Sequence, residues 1–310
     1  MVSTGMNPFI NAQGYATTGM FSVAIGAIAN LILDPVFSFV FGLGIRGAAI
    51  ATVLSQILSA AFVLYFLRKK TELKVRLLSG EEIRDCGRRA KNIISLGTAG
   101  FIMQLTNSLV TICCNNVLSV TGGDLYISVM TIVSSIRQII DTPIHAITEG
   151  SSPVISYNYG ARRPKRVFQS WLTMSVMAIL YTLLAWGVIL FTPRFLIGIF
   201  SSDQALITDA IPALKLYFGA FVFQALQYVG QTMFKSLGKK KFAIFFSLLR
   251  KVIIVVPLTY ILPYLFHMGS DGVFLAEPVS NVLGGSACFI VMLCTVMPEL
   301  KRMAKENSAI

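Results

Sequence analysis

An all-α membrane protein that crosses the bilayer eight times is the fold this sequence predicts, and three observations predict it. Hydrophobic residues make up 55% of the 310 positions and charged residues 13%, about half the charge of a soluble domain. Eight apolar stretches, near 17–40, 46–67, 92–119, 125–148, 167–191, 208–234, 243–266 and 272–297, each exceed the roughly 20 residues a crossing helix requires. The basic residues between them alternate from dense to sparse.

That alternation orients the chain. The connection 68–91 holds Arg68, Lys69, Lys70, Lys74, Arg76, Arg84, Arg88, Arg89 and Lys91, and 120–124 holds none. Arg162, Arg163, Lys165 and Arg166 follow, then only Arg194 in 192–207. Lys235, Lys239, Lys240 and Lys241 come next, then none in 267–271, then Lys301, Arg302 and Lys305. Lys and Arg concentrate in cytoplasmic loops. The 68–91 loop and the C-terminus are therefore expected in the cytoplasm, with the spans in the plasma (inner) membrane. The net charge of +12 is a topology signal, and nucleic acid is not an expected partner. The five cysteines show no metal-ligand spacing, and Cys113 and Cys114 point to different faces of one helix.

The first span carries Asn30-Leu31-Ile32-Leu33-Asp34-Pro35. A carboxylate at bilayer depth is expensive and, where kept, marks an ion path, a proton relay or a substrate site. Asn30 and Asp34 are four apart and share one helical face, with Thr52 on the next span. Carboxylate, carboxamide and hydroxyl are hard oxygen ligands that suit Na+; the same carboxylate, desolvated, can instead carry a proton. The plainer alternative is an Asp that caps backbone freed by Pro35.

The second span opens Gly44-Ile45-Arg46-Gly47 and the eighth Gly269-Ser270-Asp271-Gly272. Shifted by 225 residues, Gly44, Gly47, Ala51 and Ser55 fall on Gly269, Gly272, Ala276 and Ser280. Small residues at this spacing let membrane helices pack closely. Six spans separate the copies, so both run in the same direction, as a parallel repeat requires. The expected domains are 1–67 (the last two helices of a first lobe), a 68–91 linker, a six-helix lobe over 92–297 and a cytoplasmic tail over 298–310. Two equivalent lobes would put about four further helices before residue 1.

The remaining polar residues supply a candidate cavity. On the fourth span Arg137 and Asp141 are four apart, read as an intrahelical ion pair or, with Gln138, as a cavity wall. Glu277 precedes Pro278 on the last span; it faces a cavity or sits at the interface paired with Lys215 or Arg250. Gln224, Gln227 and Gln231 form one stripe on the sixth span. Gln104, Asn107 and Asn115 add amides on the third. Glu149, Pro153 and Asn158 mark a gate or loop, because Gly150, Pro153 and Gly160 are expected to break the helix there.

Asn30-x-x-x-Asp34-Pro35 followed by Gly44-Ile45-x-Gly47-Ala48-Ala49-x-Ala51-Thr52 resembles the fifth and sixth helices of MATE (multidrug and toxic compound extrusion) exporters. Asn11-Ala12-Gln13-Gly14 resembles the loop before that fifth helix. Gly150-Ser151-Ser152-Pro153-Val154-Ile155-Ser156-Tyr157-Asn158-Tyr159-Gly160-Ala161 is similar to the end of the family's eighth. The resemblance implies two six-helix lobes around a central cavity, alternating access, and export coupled to inward H+ or Na+. It maps Asn30, Asp34 and Thr52 onto the family's cation site. An acidic residue on the family's first helix, which works with the first-lobe aspartate, is expected in the part before residue 1.

A membrane enzyme lacks its parts: the two histidines, His145 and His267, are far apart, and no H-E-x-x-H, G-x-S-x-G or Walker sequence occurs. No filter-like loop supports a channel. The expected function is secondary active export of organic cations, without an enzyme activity or a cofactor beyond the coupling ion. The protein is expected to be a monomer in the lipid bilayer. A lipid-linked saccharide flippase of the same plan and a non-transporting remnant are the alternatives.

Overall fold

The computed structural model describes residues 2–71 and 80–308. All secondary structure among them is helical. The chain divides into two compact units, Met1–Arg89 and Ala90–Ile310. Residues 72–79 of the expected linker, with Lys74 and Arg76, lie outside the described residues.

In the first unit α1 (Val2–Ala12), α2 (Ala16–Pro35) and α3 (Ile45–Lys69) pack against one another. Pro35 has no N–H to give to the carbonyl four residues back. The backbone answers with a π-helical wide turn over Val36–Val40, closed where Phe41 N–H meets Val36 O. Helix α3 meets this turn at Gly47. A Cβ there would lie 2.5 Å from the carbonyl carbon of Phe37, so only glycine permits the crossing.

Helix α4 (Gly80–Thr121) starts about three turns before the predicted span, so the C-terminal part of the expected 68–91 loop is helical. The second unit continues with α5 (Gly123–Gly160), α6 (Pro164–Phe191), α7 (Pro193–Gly198), α8 (Gln204–Tyr217) and α9 (Phe221–Ser236). It closes with α10 (Lys240–Leu248), α11 (Val256–Tyr264), α12 (Gly269–Ser280) and α13 (Ser286–Ser308). Wide turns over Leu249–Val255 and Asn281–Gly285 join α10 to α11 and α12 to α13 without breaking either rod. The second lies just after Pro278, as the first unit's lies after Pro35.

Among the described residues five helical stretches are long and apolar enough to cross a bilayer: Ala16–Val40, Ile45–Lys69, Pro164–Phe191, Lys240–Tyr264 and Gly269–Asn307. At 1.5 Å per residue even the shortest, 25 residues, spans about 37 Å against a hydrocarbon core of roughly 30 Å. A sixth is the pair α8 and α9, bent by 49°. The sequence predicts one straight span there; the break at 218–220 lets Phe218 and Phe221 both enter the core, ring centroids 5.2 Å apart. Helices α4 and α5 cover the predicted spans 92–119 and 125–148 but are not among these stretches. Among the described residues, five or six of the eight predicted spans are thus found. Outside, Phe39, Ile45 and Phe191 are more than four-fifths exposed, a surface that suits lipid and not water.

The internal repeat is structural. A Cβ on Gly272 would lie 2.8 Å from Pro263 N and 2.9 Å from Leu262 C. Leu262 and Pro263 are Phe37 and Ser38 shifted by the same 225 residues that relate Gly47 to Gly272. Each unit thus uses the equivalent glycine at the equivalent helix crossing.

Candidate functional site

Two apolar clusters fill the second unit. One gathers Ile136 and Ile140, Phe221, Val255 and Phe274. The other gathers Ile144, Ala225, Phe246 and Cys288. Every helix that contributes to both changes from one to the other at a polar residue. Asp141 falls between Ile140 and Ile144, Gln224 between Phe221 and Ala225, and Arg250 and Lys251 between Phe246 and Val255. Glu277 follows Phe274 on α12. A polar belt therefore crosses the middle of an otherwise apolar bundle.

Glu277, 4% exposed, is its centre. Its Oε1 forms an ion pair with Arg137 Nη1 at 2.8 Å and accepts from Lys251 Nζ at 3.1 Å and Arg250 Nη1 at 3.3 Å. Oε2 accepts from Lys251 at 3.4 Å. Arg137 Nε also donates to Asp141 Oδ2 at 3.1 Å, and its Nη1 to the Tyr217 hydroxyl. Asp141 accepts further from Gln224 Nε2 and the Tyr228 hydroxyl at 3.3 Å. Arg250 Nη1 reaches Asn281 Oδ1, at the start of a wide turn. Arg250 Nε and Gln227 Oε1 are buried without a hydrogen-bond partner.

The belt borders a cavity of about 650 Å³ lined by Arg137, Gln138, Asp141, Gln227, Arg250, Lys251 and Glu277 among others. Gln104 and Asn107 of α4 and Gln231 of α9 also line it. Gln138, Asp141, Glu277 and Gln227 thus line one cavity. Of the two partners the interfacial alternative names, Arg250 pairs with Glu277, and Arg137 and Lys251 join it. Lys251 escaped the sequence reading. The signal was available: Arg250-Lys251 stands in the middle of the span predicted over 243–266, and the rule that singles out Asp34 applies equally to it.

In the first unit Asp34 and Asn30 are half-buried and Thr52 is exposed. Asn30 Nδ2 donates to Thr52 Oγ1 at 3.4 Å, and Thr52 Oγ1 to Ala48 O at 2.9 Å. Asp34 Oδ1 accepts from Ser38 Oγ at 3.1 Å. Ser38, a hydroxyl in the wide turn that Pro35 creates, was not expected. The donors form two hydrogen-bonded pairs, and together they offer the oxygen ligands a hard cation takes.

Pro153 and Asn158 do not form a loop. Helix α5 runs through Pro153 to Gly160, which corrects the expected break. Prolines are tolerated in helices whose freed backbone finds other partners, and here side chains secure the segment. Ser152 Oγ lies 2.8 Å from Ser236 Oγ, and Ser156 donates to Ser236 O at 3.0 Å. Asn158 is buried and donates to Val154 O at 2.8 Å. Glu149 is exposed and pairs with Lys235 at 3.3 Å. At this end the Tyr159 hydroxyl and Lys239 both donate to Glu299, joining α5, the α9–α10 turn and α13. That carboxylate hydrogen bond, with burial second, pushes the Tyr159 phenol up to about 12.

An apolar helical exterior around a polar mid-height cavity defines a multi-pass membrane protein. The MatE family model matches residues 99–261, just over half of the chain, and the chain belongs to that family. It is 24% identical over 290 residues to the multidrug export protein MepA of Staphylococcus saprophyticus, covering 93% of this chain and 62% of that protein. The chain thus spans about 62% of the length of such curated relatives. An outward-facing structure of a multidrug resistance MATE transporter of the MOP superfamily superposes with TM-score 0.86 at 22% identity, covering 98% of this chain and 66% of that one. A MOP-superfamily transporter from Pyrococcus furiosus, described by the reverse polarity of its binding pocket, gives 0.85 at 23% identity, covering 97% and 66%. Membership of a transporter family points away from an enzyme.

Proposed function

We propose that this protein is a secondary active exporter of amphipathic small molecules, driven by exchange with H+ or Na+ and exposing its site alternately to the two sides of the plasma membrane. The observation that carries it is Asp34, a half-buried carboxylate within the apolar stretch Ala16–Val40, in a family whose curated relatives are named multidrug export proteins. Asp34 takes a proton, or with Asn30, Thr52 and Ser38 a Na+ ion, from outside and releases it inside. Each charge moved gains about 2.3 kcal/mol per 100 mV of membrane potential. The 1–67 and 92–297 segments serve as parts of two lobes, with the C-terminus in the cytoplasm and the protein monomeric.

Organic cations are the substrates that Asp34 suggests. The charge of the second unit's cavity favours a second reading, an anion-headed amphiphile of the kind a lipid-linked saccharide flippase would carry.

The test is dye efflux from cells expressing the protein, with ethidium and an anionic fluorophore in parallel, for wild type and Asp34→Asn. Loss of efflux at equal membrane abundance supports the assignment. Efflux that is unchanged by Asp34→Asn removes Asp34 from the coupling step, and efflux of neither dye by wild type favours the non-transporting alternative.

A further inference from the structure

We propose that the cavity of the second unit is a receptor for an anionic head group, docking the carboxylate, sulfonate or phosphate of an amphiphile against Arg250, Lys251 and Arg137. The inference rests on the transport reading above and specifies the ligand's charge.

Three cations line the cavity, against two carboxylates. Both acids are already engaged. Asp141 accepts from Arg137, Gln224 and Tyr228. Three cations converge on the single oxygen Oε1 of Glu277. An incoming organic cation would find no free carboxylate and three positive groups. An incoming anion finds spare donors: Arg250 Nε is buried and unpartnered, and Lys251 directs its hydrogen bonds to one carboxylate alone.

A net positive charge fixed in the middle of an apolar bundle is unfavourable until something compensates it. A bound anion does so, and Glu277 holds the three cations in place while the cavity awaits one. Val110, Met130, Val255 and Val273 add apolar surface to a wall that otherwise carries amides and hydroxyls, and that surface suits the hydrophobic body of an amphiphile. Gln227 Oε1, an unpartnered acceptor, adds a position for a hydroxyl or amide N–H of that body. The volume of about 650 Å³ lies within the range of sites for drug-sized ligands.

The test is calorimetric titration of the purified protein in phosphatidylcholine nanodiscs with naphthoate and naphthylmethylammonium, which share a ring system and differ in charge. Naphthoate is expected to bind at least about tenfold more tightly, and Arg250→Gln to weaken it by about tenfold or more. Equal or tighter binding of the ammonium, or naphthoate binding indifferent to Arg250→Gln, overturns the proposal. Should Arg250→Gln not fold, Arg250→Lys and Val273→Trp decide. The proposal requires the first to keep naphthoate affinity within about threefold and the second, which fills the apolar wall, to lose it; the reverse overturns it. Repeating the titration with phosphatidylglycerol in the nanodisc separates two sources. Competition identifies a lipid head group as the anion, and its absence a soluble amphiphile. Because binding is read without transport, lost anion preference removes this inference alone. A protein that binds naphthoate yet exports nothing removes the transport reading alone.

Discussion

Arg137 on α5 and Glu277 on α12 form a 2.8 Å ion pair at the level where the two apolar clusters of the second unit meet. The side chains are 16% and 5% exposed, so water does little to screen them. Each has further partners, Asp141 for the arginine and Lys251 and Arg250 for the glutamate. The pair is thus the link that turns two local contacts into one network.

Removing Glu277 should cost more than removing Asp141. Glu277→Gln leaves three buried cations facing a neutral amide, and breaking a buried pair costs about 3–5 kcal/mol. Asp141→Asn removes charge from one arginine and leaves a group that can still accept hydrogen bonds, at about 1–3 kcal/mol. Thermal unfolding in detergent ranks them, and equal losses would contradict Glu277 as the centre.

The two repeat glycines should respond alike. Gly47→Ala and Gly272→Ala each place a methyl group within 3 Å of the backbone of a neighbouring helical segment, an overpacking worth about 1–3 kcal/mol or more. Gly187→Ala, with nothing within 4 Å of its Cβ, is the control and should leave the melting temperature unchanged. A tolerated Gly272→Ala would mean that the crossing is looser than 2.8 Å implies.

Thr52 offers a graded test of the cation site. Thr52→Val keeps the volume and removes the hydroxyl that Asn30 reaches. The expected outcome is an apparent H+ or Na+ requirement raised by about fivefold, roughly 1 kcal/mol of one hydrogen bond, with maximal efflux retained. Complete loss of efflux would place Thr52 in a larger role; no change would remove it from the site.

Tyr159 predicts an alkaline limb of stability. Its folded-state pKa is raised to about 12 by the Glu299 carboxylate. The contribution is therefore fully present below the ordinary tyrosine value of about 10 and is lost as pH rises towards about 12. Tyr159→Phe should lower the melting temperature at neutral pH and flatten its decline across that interval. A decline of unchanged steepness would assign the limb to other groups.

How far the sequence reached depended on whether a property is local. Asp34, Glu277, the Arg137–Asp141 spacing and the Gln224–Gln231 stripe were legible because a polar residue inside an apolar run carries its own signal. The 225-residue repeat was legible because close helix crossings demand glycine. Pro153 misled, because whether a proline breaks a helix depends on partners such as Ser236, far along the chain. Lys251 was legible, in mid-span beside Arg250, and passed over.

The sequence by itself determined an apolar helical protein with a few costly charges at mid-span, since transfer free energy depends only on composition and order. Only the tertiary structure decided what those charges mean. Whether Glu277 attracts a cation or is consumed by three of them depends on which side chains stand within about 3 Å, the range over which hydrogen bonds and buried ion pairs act. That proximity is set by helix crossings and wide turns that bring together residues from α5, α10–α11 and α12.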